Sequence, residues 1–123
     1  MASPLEPALD LFLTHLRVEK GLAANSVEAY GRDLRRYLDD LDRAGLDAWG
    51  RVGRPEVRAH LASLASRGIS ARSQARALSA LRAFHRLLLR ERLAPADPTD
   101  EVDSPRPGRR LPGVLSAEEV ARL

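Results

Sequence analysis

The chain has no cysteine among its 123 residues. A disulfide framework and a thiolate metal site are therefore excluded, and a reducing compartment fits. Aromatic residues are only 4% of the total. Any core must be built from Leu, Ala and Val, a composition that favours helices over strands. Lysine is nearly missing too, Lys20 being the single one. Apolar runs such as Leu87-Leu88-Leu89 fall far short of a membrane span. Residues 1–6 carry no basic region followed by an apolar stretch, so no secretory signal is read there and a cytoplasmic location is expected.

Signatures of chemistry are missing as well. No P-loop, Gly-rich phosphate loop or Ser/His/Asp spacing is found. His15, His60 and His85 fall on three different expected helices, without metal-ligand spacing. The Asp39-Asp40-Asp42 cluster is placed on an exposed helix end rather than in a pocket. The chain alone is thus expected to have no catalytic residue, cofactor, metal or small-molecule ligand, and no membrane contact.

What is present is a 44% hydrophobic fraction, enough for one domain's core. The net charge of +3 is unevenly spread. Residues 1–49 hold six basic and nine acidic side chains, and residues 93–123 hold four and six. Between them, residues 50–92 hold ten arginines against only Glu56 and Glu91. A codon bias toward arginine explains the preference over lysine, but not the clustering. Arginine's planar fork suits bidentate contact with phosphate or guanine.

Caps and periodicity predict four helices. Ser3 is read as the first cap, with Pro4 at the first helical position and Glu6 completing a capping box. Leu5, Leu9, Phe12, Leu13 and Leu16 form its stripe, and Gly21 ends it. Asn25 with Glu28 caps the second helix, whose buried side is Val27, Tyr30, Leu34, Leu38 and Leu41; Gly45 stops it. A loop follows in which Trp49 anchors into the core. Pro55 opens the third helix, with Val57, Leu61 and Leu64 inward and Gly68 after its end. Ser70 caps the fourth, which runs to about Leu93 with Ala77, Leu78, Leu81, Phe84, His85 and Leu88 inward. Five prolines between Pro95 and Pro112 then read as a linker. Ser116 and Glu119 cap the start of a further helix, and a second domain is expected beyond it. The expected division is a helical domain over 1–94, a linker over 95–115 and the first turns of another domain over 116–123.

On a helical wheel, Arg72, Arg76, Ser79, Ala83, Arg86 and Arg90 fall within about 80° of one another, opposite the apolar seam. An ordinary solvated face would interleave Glu with Arg. Four arginines on one face with no acidic partner at i±4 make a positive strip that can approach phosphate or enter a major groove. Two readings stand: a nucleic-acid interface, and a solvated face. The second helix mixes Arg32, Arg35 and Arg36 with five acids, and composition there favours an ordinary salt-bridged surface.

Three segments carry a resemblance. They are Val18-Glu19-Lys20-Gly21-Leu22-Ala23-Ala24-Asn25-Ser26-Val27-Glu28-Ala29-Tyr30-Gly31-Arg32-Asp33-Leu34, then Ala75-Arg76-Ala77-Leu78-Ser79-Ala80-Leu81-Arg82-Ala83-Phe84-His85-Arg86-Leu87-Leu88, then Asp97-Pro98-Thr99 with Ser104-Pro105-Arg106, Arg110-Leu111-Pro112 and Leu115-Ser116-Ala117-Glu118-Glu119-Val120. In this order and spacing the chain resembles the N-terminal, core-binding domain of Xer-type tyrosine recombinases, leaning toward XerD rather than XerC. The resemblance implies an all-α, four-helix SAM-like bundle that forms half of a clamp around a recombination site on double-stranded DNA. It implies DNA contacts at Asn25, Ser26, Ala29, Tyr30 and Arg32 in the second helix, and at Arg72, Ser73 and Arg76 in the fourth. The wheel adds Ser79 and Arg86. It also implies partner recombinase subunits in a full-length tetramer and a role in DNA integration and recombination, with chromosome-dimer resolution as the family expectation. The nucleophilic tyrosine and its Arg, Lys and His assistants would lie in a C-terminal domain; Tyr30 and Tyr37 sit where nothing would activate a phenol. Arg106, Arg109 and Arg110 are expected in the linker, beside the duplex backbone or in solvent. The alternative is a helical bundle docking an acidic protein. Reversing Arg76 to Glu is expected to cost about tenfold in binding without loss of helicity.

Overall fold

A computed structural model describes residues 4–100 and residue 102 of the chain. It contains α1 (Glu6–Val18), α2 (Ala24–Arg43), α3 (Arg54–Ser66) and α4 (Ala71–Arg90), with a 3-10 turn at Trp49–Arg51. No strand occurs among the described residues, so the fold is all-α. No helix among them is long and apolar enough to cross a membrane.

α1 begins two residues later than a cap at Pro4's neighbour would place it. Leu5 occupies the N-cap position without a side-chain cap, and Pro7 lies in the first turn, where its missing N–H costs nothing. Ser3 lies outside the described residues. Burial replaces capping here: Leu5 is wholly inaccessible, as are nearly so Leu9 and Phe12. α2 also departs from expectation. Its N-cap is Ala23, in extended conformation and with no side-chain cap, so Asn25 and Ser26 lie inside the first turn. A helix entered from an alanine leaves its first N–H groups open to water or to an anion.

α3 and α4 are capped by their own side chains. The Glu56 carboxylate accepts the Gly53 N–H at 2.7 Å. Ser70 Oγ accepts the Ser73 N–H at 3.1 Å, as the sequence predicts. α4 ends at Arg90, short of Leu93, and Arg92 adopts a left-handed φ of 61°. Like α2, it packs on all three other helices. Ala77, Leu78, Ala80, Leu81, Phe84, His85, Leu87 and Leu88 are buried along it. The alanines let neighbouring helices approach closely.

Within a largely aliphatic core, a few aromatic rings pack on one another. Phe84 meets Phe12 edge-on at 5.4 Å and Trp49 at 4.9 Å, so Trp49 is the expected anchor. Tyr37, which the periodicity reading omits, is buried and bonds through its hydroxyl to His85 Nε2 at 2.8 Å. Burial pushes the His85 pKa down to about 4, so the ring is neutral at pH 7, and raises that of Tyr37.

Asp40 does not lie on an exposed helix end. It accepts from Arg67 Nη2 at 2.6 Å and faces His60 Nδ1 at 2.6 Å, binding α2 to α3. Burial lowers the His60 pKa against the opposing pull of Asp40. Burial would raise the Asp40 pKa, but the hydrogen bonds from His60 and Arg67 outweigh it and hold the carboxyl below its ordinary value. His60 continues the Val57–Leu64 stripe at helical spacing; Leu61, expected inward, is only half-buried.

Packing also runs past residue 94. Thr99 and Val102 are buried, and Arg82 donates to the Val102 carbonyl. The expected linker therefore starts on the bundle's surface. Arg106, Arg109, Arg110 and the helix expected from Ser116 lie outside the described residues.

Candidate nucleic-acid interface

α4 carries no carboxylate between Ala71 and Arg90. Its outer positions Arg72, Arg76, Ser79 and Arg86 are exposed, as the wheel predicts, and Ser73 is half-buried beside the Ser70 cap. The strip is not uniform, however. Ala83 is half-buried in a groove between α1 and α4, lined also by Phe12, His15 and Leu16, with Lys20, Arg86 and Arg90 beside it. Arg90 reaches the adjacent Glu91 at 3.4 Å. Arg86 stands ten residues after Arg76, which places it roughly 15 Å further along the helix.

Arg76 overturns one expectation. It is not free of acid: its Nε and Nη2 donate to the two carboxylate oxygens of Asp33 on α2, at 2.9 and 3.0 Å. Asp33 is buried, with 1% of its side chain accessible, whereas the Arg76 side chain is 46% accessible. These hydrogen bonds, together with the carboxylate's charge, hold the Arg76 pKa above its ordinary value. The wheel missed this because it compares residues within one helix, and the partner comes from another. A signal did exist: Asp33 lies three residues after Tyr30 and four before Tyr37, on their stripe. An acid on an inward stripe needs a partner. By contrast, Arg72 and Arg86 have no ion pair among the described residues.

On α2, Asn25, Ser26 and Arg32 are exposed, while Ala29 and Tyr30 are half-buried. Tyr30, read as core by periodicity and as a DNA contact by resemblance, lies between those two environments. The structure joins Asp33 to Arg76, and Tyr30 precedes Asp33 by three residues on α2. No hydrogen bond or ion pair among the described residues joins Asn25 or Ser26 to α4.

Among the described residues no cluster of His, Asp and Glu could hold a metal ion. Exposed guanidinium groups, small hydroxyl side chains and the uncapped N–H groups of α2 all suit an anionic partner.

Comparison with known proteins agrees with this architecture. The family model for the phage integrase N-terminal SAM-like domain matches residues 9–92. The tyrosine recombinase XerD of Pseudomonas aeruginosa is 45% identical over the whole chain, which spans 41% of that protein. The tyrosine recombinase XerD of Oceanobacillus iheyensis is 36% identical over 97% of the chain, spanning 40% of that protein. The Staphylococcus aureus protein of the same name is likewise 36% identical. The chain thus covers about two-fifths of these curated relatives' lengths. No solved structure gives a significant match. Given the family match across residues 9–92, the chain belongs to the phage integrase N-terminal SAM-like domains.

Proposed function

We propose that this chain is the DNA-binding domain of a site-specific tyrosine recombinase, gripping one face of a duplex recombination site. The observation that carries the reading is the outer face of α4, a helix with no carboxylate of its own, on which Arg72 and Arg86 are exposed and unpaired among the described residues. Membership of the family and relatives bearing the name tyrosine recombinase support it. Asn25, Ser26, Ala29, Tyr30 and Arg32 on α2, and Arg72, Ser73, Arg76, Ser79 and Arg86 on α4, form the proposed contact set. Phosphate contacts supply most of the affinity and set position on the duplex.

The full protein, on this reading, cuts and rejoins DNA in chromosome-dimer resolution, assembled with other recombinase subunits in the cytoplasm. Strand cleavage is assigned to sequence outside the matched region, because Tyr37 is wholly buried and Tyr30 is half-buried in the helical bundle. The rival reading, a bundle docking an acidic protein, rests only on charge that DNA accounts for equally well.

The test is a salt titration of duplex binding by fluorescence anisotropy. With about four or five phosphates neutralised, log K should fall against log salt with a slope near −4. A slope near zero, or tighter binding to an acidic peptide than to duplex, would overturn the proposal.

A further inference from the structure

We infer that Arg76 is a guanine-reading residue whose fork is held in place by Asp33, so that Asp33 is a positioning residue for sequence recognition; this rests on the DNA-binding reading above. The argument starts from the geometry of the pair. Asp33 takes the Nε and Nη2 side of the guanidinium with two hydrogen bonds of 2.9 and 3.0 Å. That leaves the other edge, formed by Nη1 and the second N–H of Nη2, directed away from the carboxylate. A planar edge of two parallel N–H donors is the group that matches O6 and N7 of guanine in the major groove.

Rigidity follows from where the carboxylate sits. Asp33 is 2% accessible and is flanked on α2 by Leu34 and Tyr37, both wholly buried. Its side chain cannot swing, so the arginine it holds is fixed along both N–H bonds. An unpaired surface arginine would lose much rotamer freedom on ordering. Arg76 has already lost it in the fold. The surroundings permit approach: Arg72 and Ser79, about one turn to either side, are exposed, and Ser79 is small.

Charge separates this role from that of its neighbours. The Asp33 carboxylate offsets the charge of Arg76, so a phosphate gains little from approaching the pair. A guanine edge carries acceptors without net charge and does gain. Arg72 and Arg86, unpaired among the described residues, are suited to phosphate; Arg76 is suited to a base.

The experiment selects tight-binding sequences from random duplex DNA with the purified chain, its Asp33→Asn variant and its Arg76→Lys variant. The wild type should enrich a guanine at one position, favoured roughly tenfold or more over other bases. Both variants should lose most of that preference, to about threefold or less, while affinity of Asp33→Asn for unselected duplex changes less than about twofold. Arg76→Lys keeps a cation against Asp33, so it decides the matter if Asp33→Asn does not fold. Full guanine preference in either folded variant overturns the inference. A wild type that binds duplex but enriches no guanine also overturns it, and leaves the DNA-binding reading standing. A wild type that binds no duplex overturns that reading itself.

Discussion

At the scale of single residues, the arginines of α4 divide by their partners. Arg72 and Arg86 are exposed, with no ion pair among the described residues. Replacing either by Ala should weaken duplex binding about three- to tenfold and lower the salt slope by roughly one, with thermal stability unchanged. An unchanged slope in both variants would remove them from the interface. Arg76 behaves differently. Reversal to Glu is no longer a clean probe, because it would set a second carboxylate against buried Asp33. Even Arg76→Ala leaves that carboxylate without its partner, a loss of about 2 kcal/mol, which lowers the melting temperature by roughly 10 °C. Melting of Arg76→Ala at wild-type temperature would show that the pair contributes nothing to the fold. Tyr37→Phe tests the other buried pair. Removing the hydroxyl strips His85 Nε2 of its partner and should cost about 1 kcal/mol in urea unfolding.

At the scale of elements, the helix starts carry distinct duties. The Ser70 cap secures the first turn of α4, which presents Arg72 and Ser73. Ser70→Ala should cost about 1 kcal/mol of stability and weaken duplex binding, since that turn would fray. α2 has no such device: its N-cap is an alanine and Asn25 lies within the helix. Asn25→Ala should therefore leave stability within about 0.5 kcal/mol of wild type while weakening binding. A large loss of stability in Asn25→Ala would mean that the side chain caps after all. Periodicity located each of these helices, and Ser70 was legible as a cap from its position before a long apolar-periodic run. Asn25 was not, because an Asn with Glu three residues on satisfies the capping pattern whether or not the backbone turns there.

At the scale of the whole molecule, the bundle has a polar seam inside it that ties stability to pH. His85 is neutral in the folded state, its pKa pushed down to about 4 by burial, while in the unfolded chain it titrates near 6.5. Above pH 6.5 both states are neutral there and the contribution is complete. As the pH falls from 6.5 toward 4, only the unfolded chain gains the proton, and stability declines by about 3 kcal/mol in total. His60 acts in the same direction. Asp40, whose pKa is lowered in the fold, adds a further loss as the pH falls below its unfolded value of 3.8. Urea unfolding between pH 7.5 and 4 should show this decline, with a shallower slope in His85→Gln. A midpoint constant down to pH 5 would contradict the buried neutral histidine.

The sequence alone determined the class of the fold, the four helices, most of the aliphatic core and the concentration of arginine on α4. Those properties depend on composition and on spacing within a single helix, where residues three and four apart must share a face. Tertiary structure alone decided which charges are spent. Asp33 and Arg76 stand 43 residues apart and meet only because α2 packs on α4. Asp40 meets His60 and Arg67 because α3 folds back onto α2. Charge is conserved along a chain, but its neutralisation depends on distances of a few ångströms between elements, and no count within one helix contains those distances.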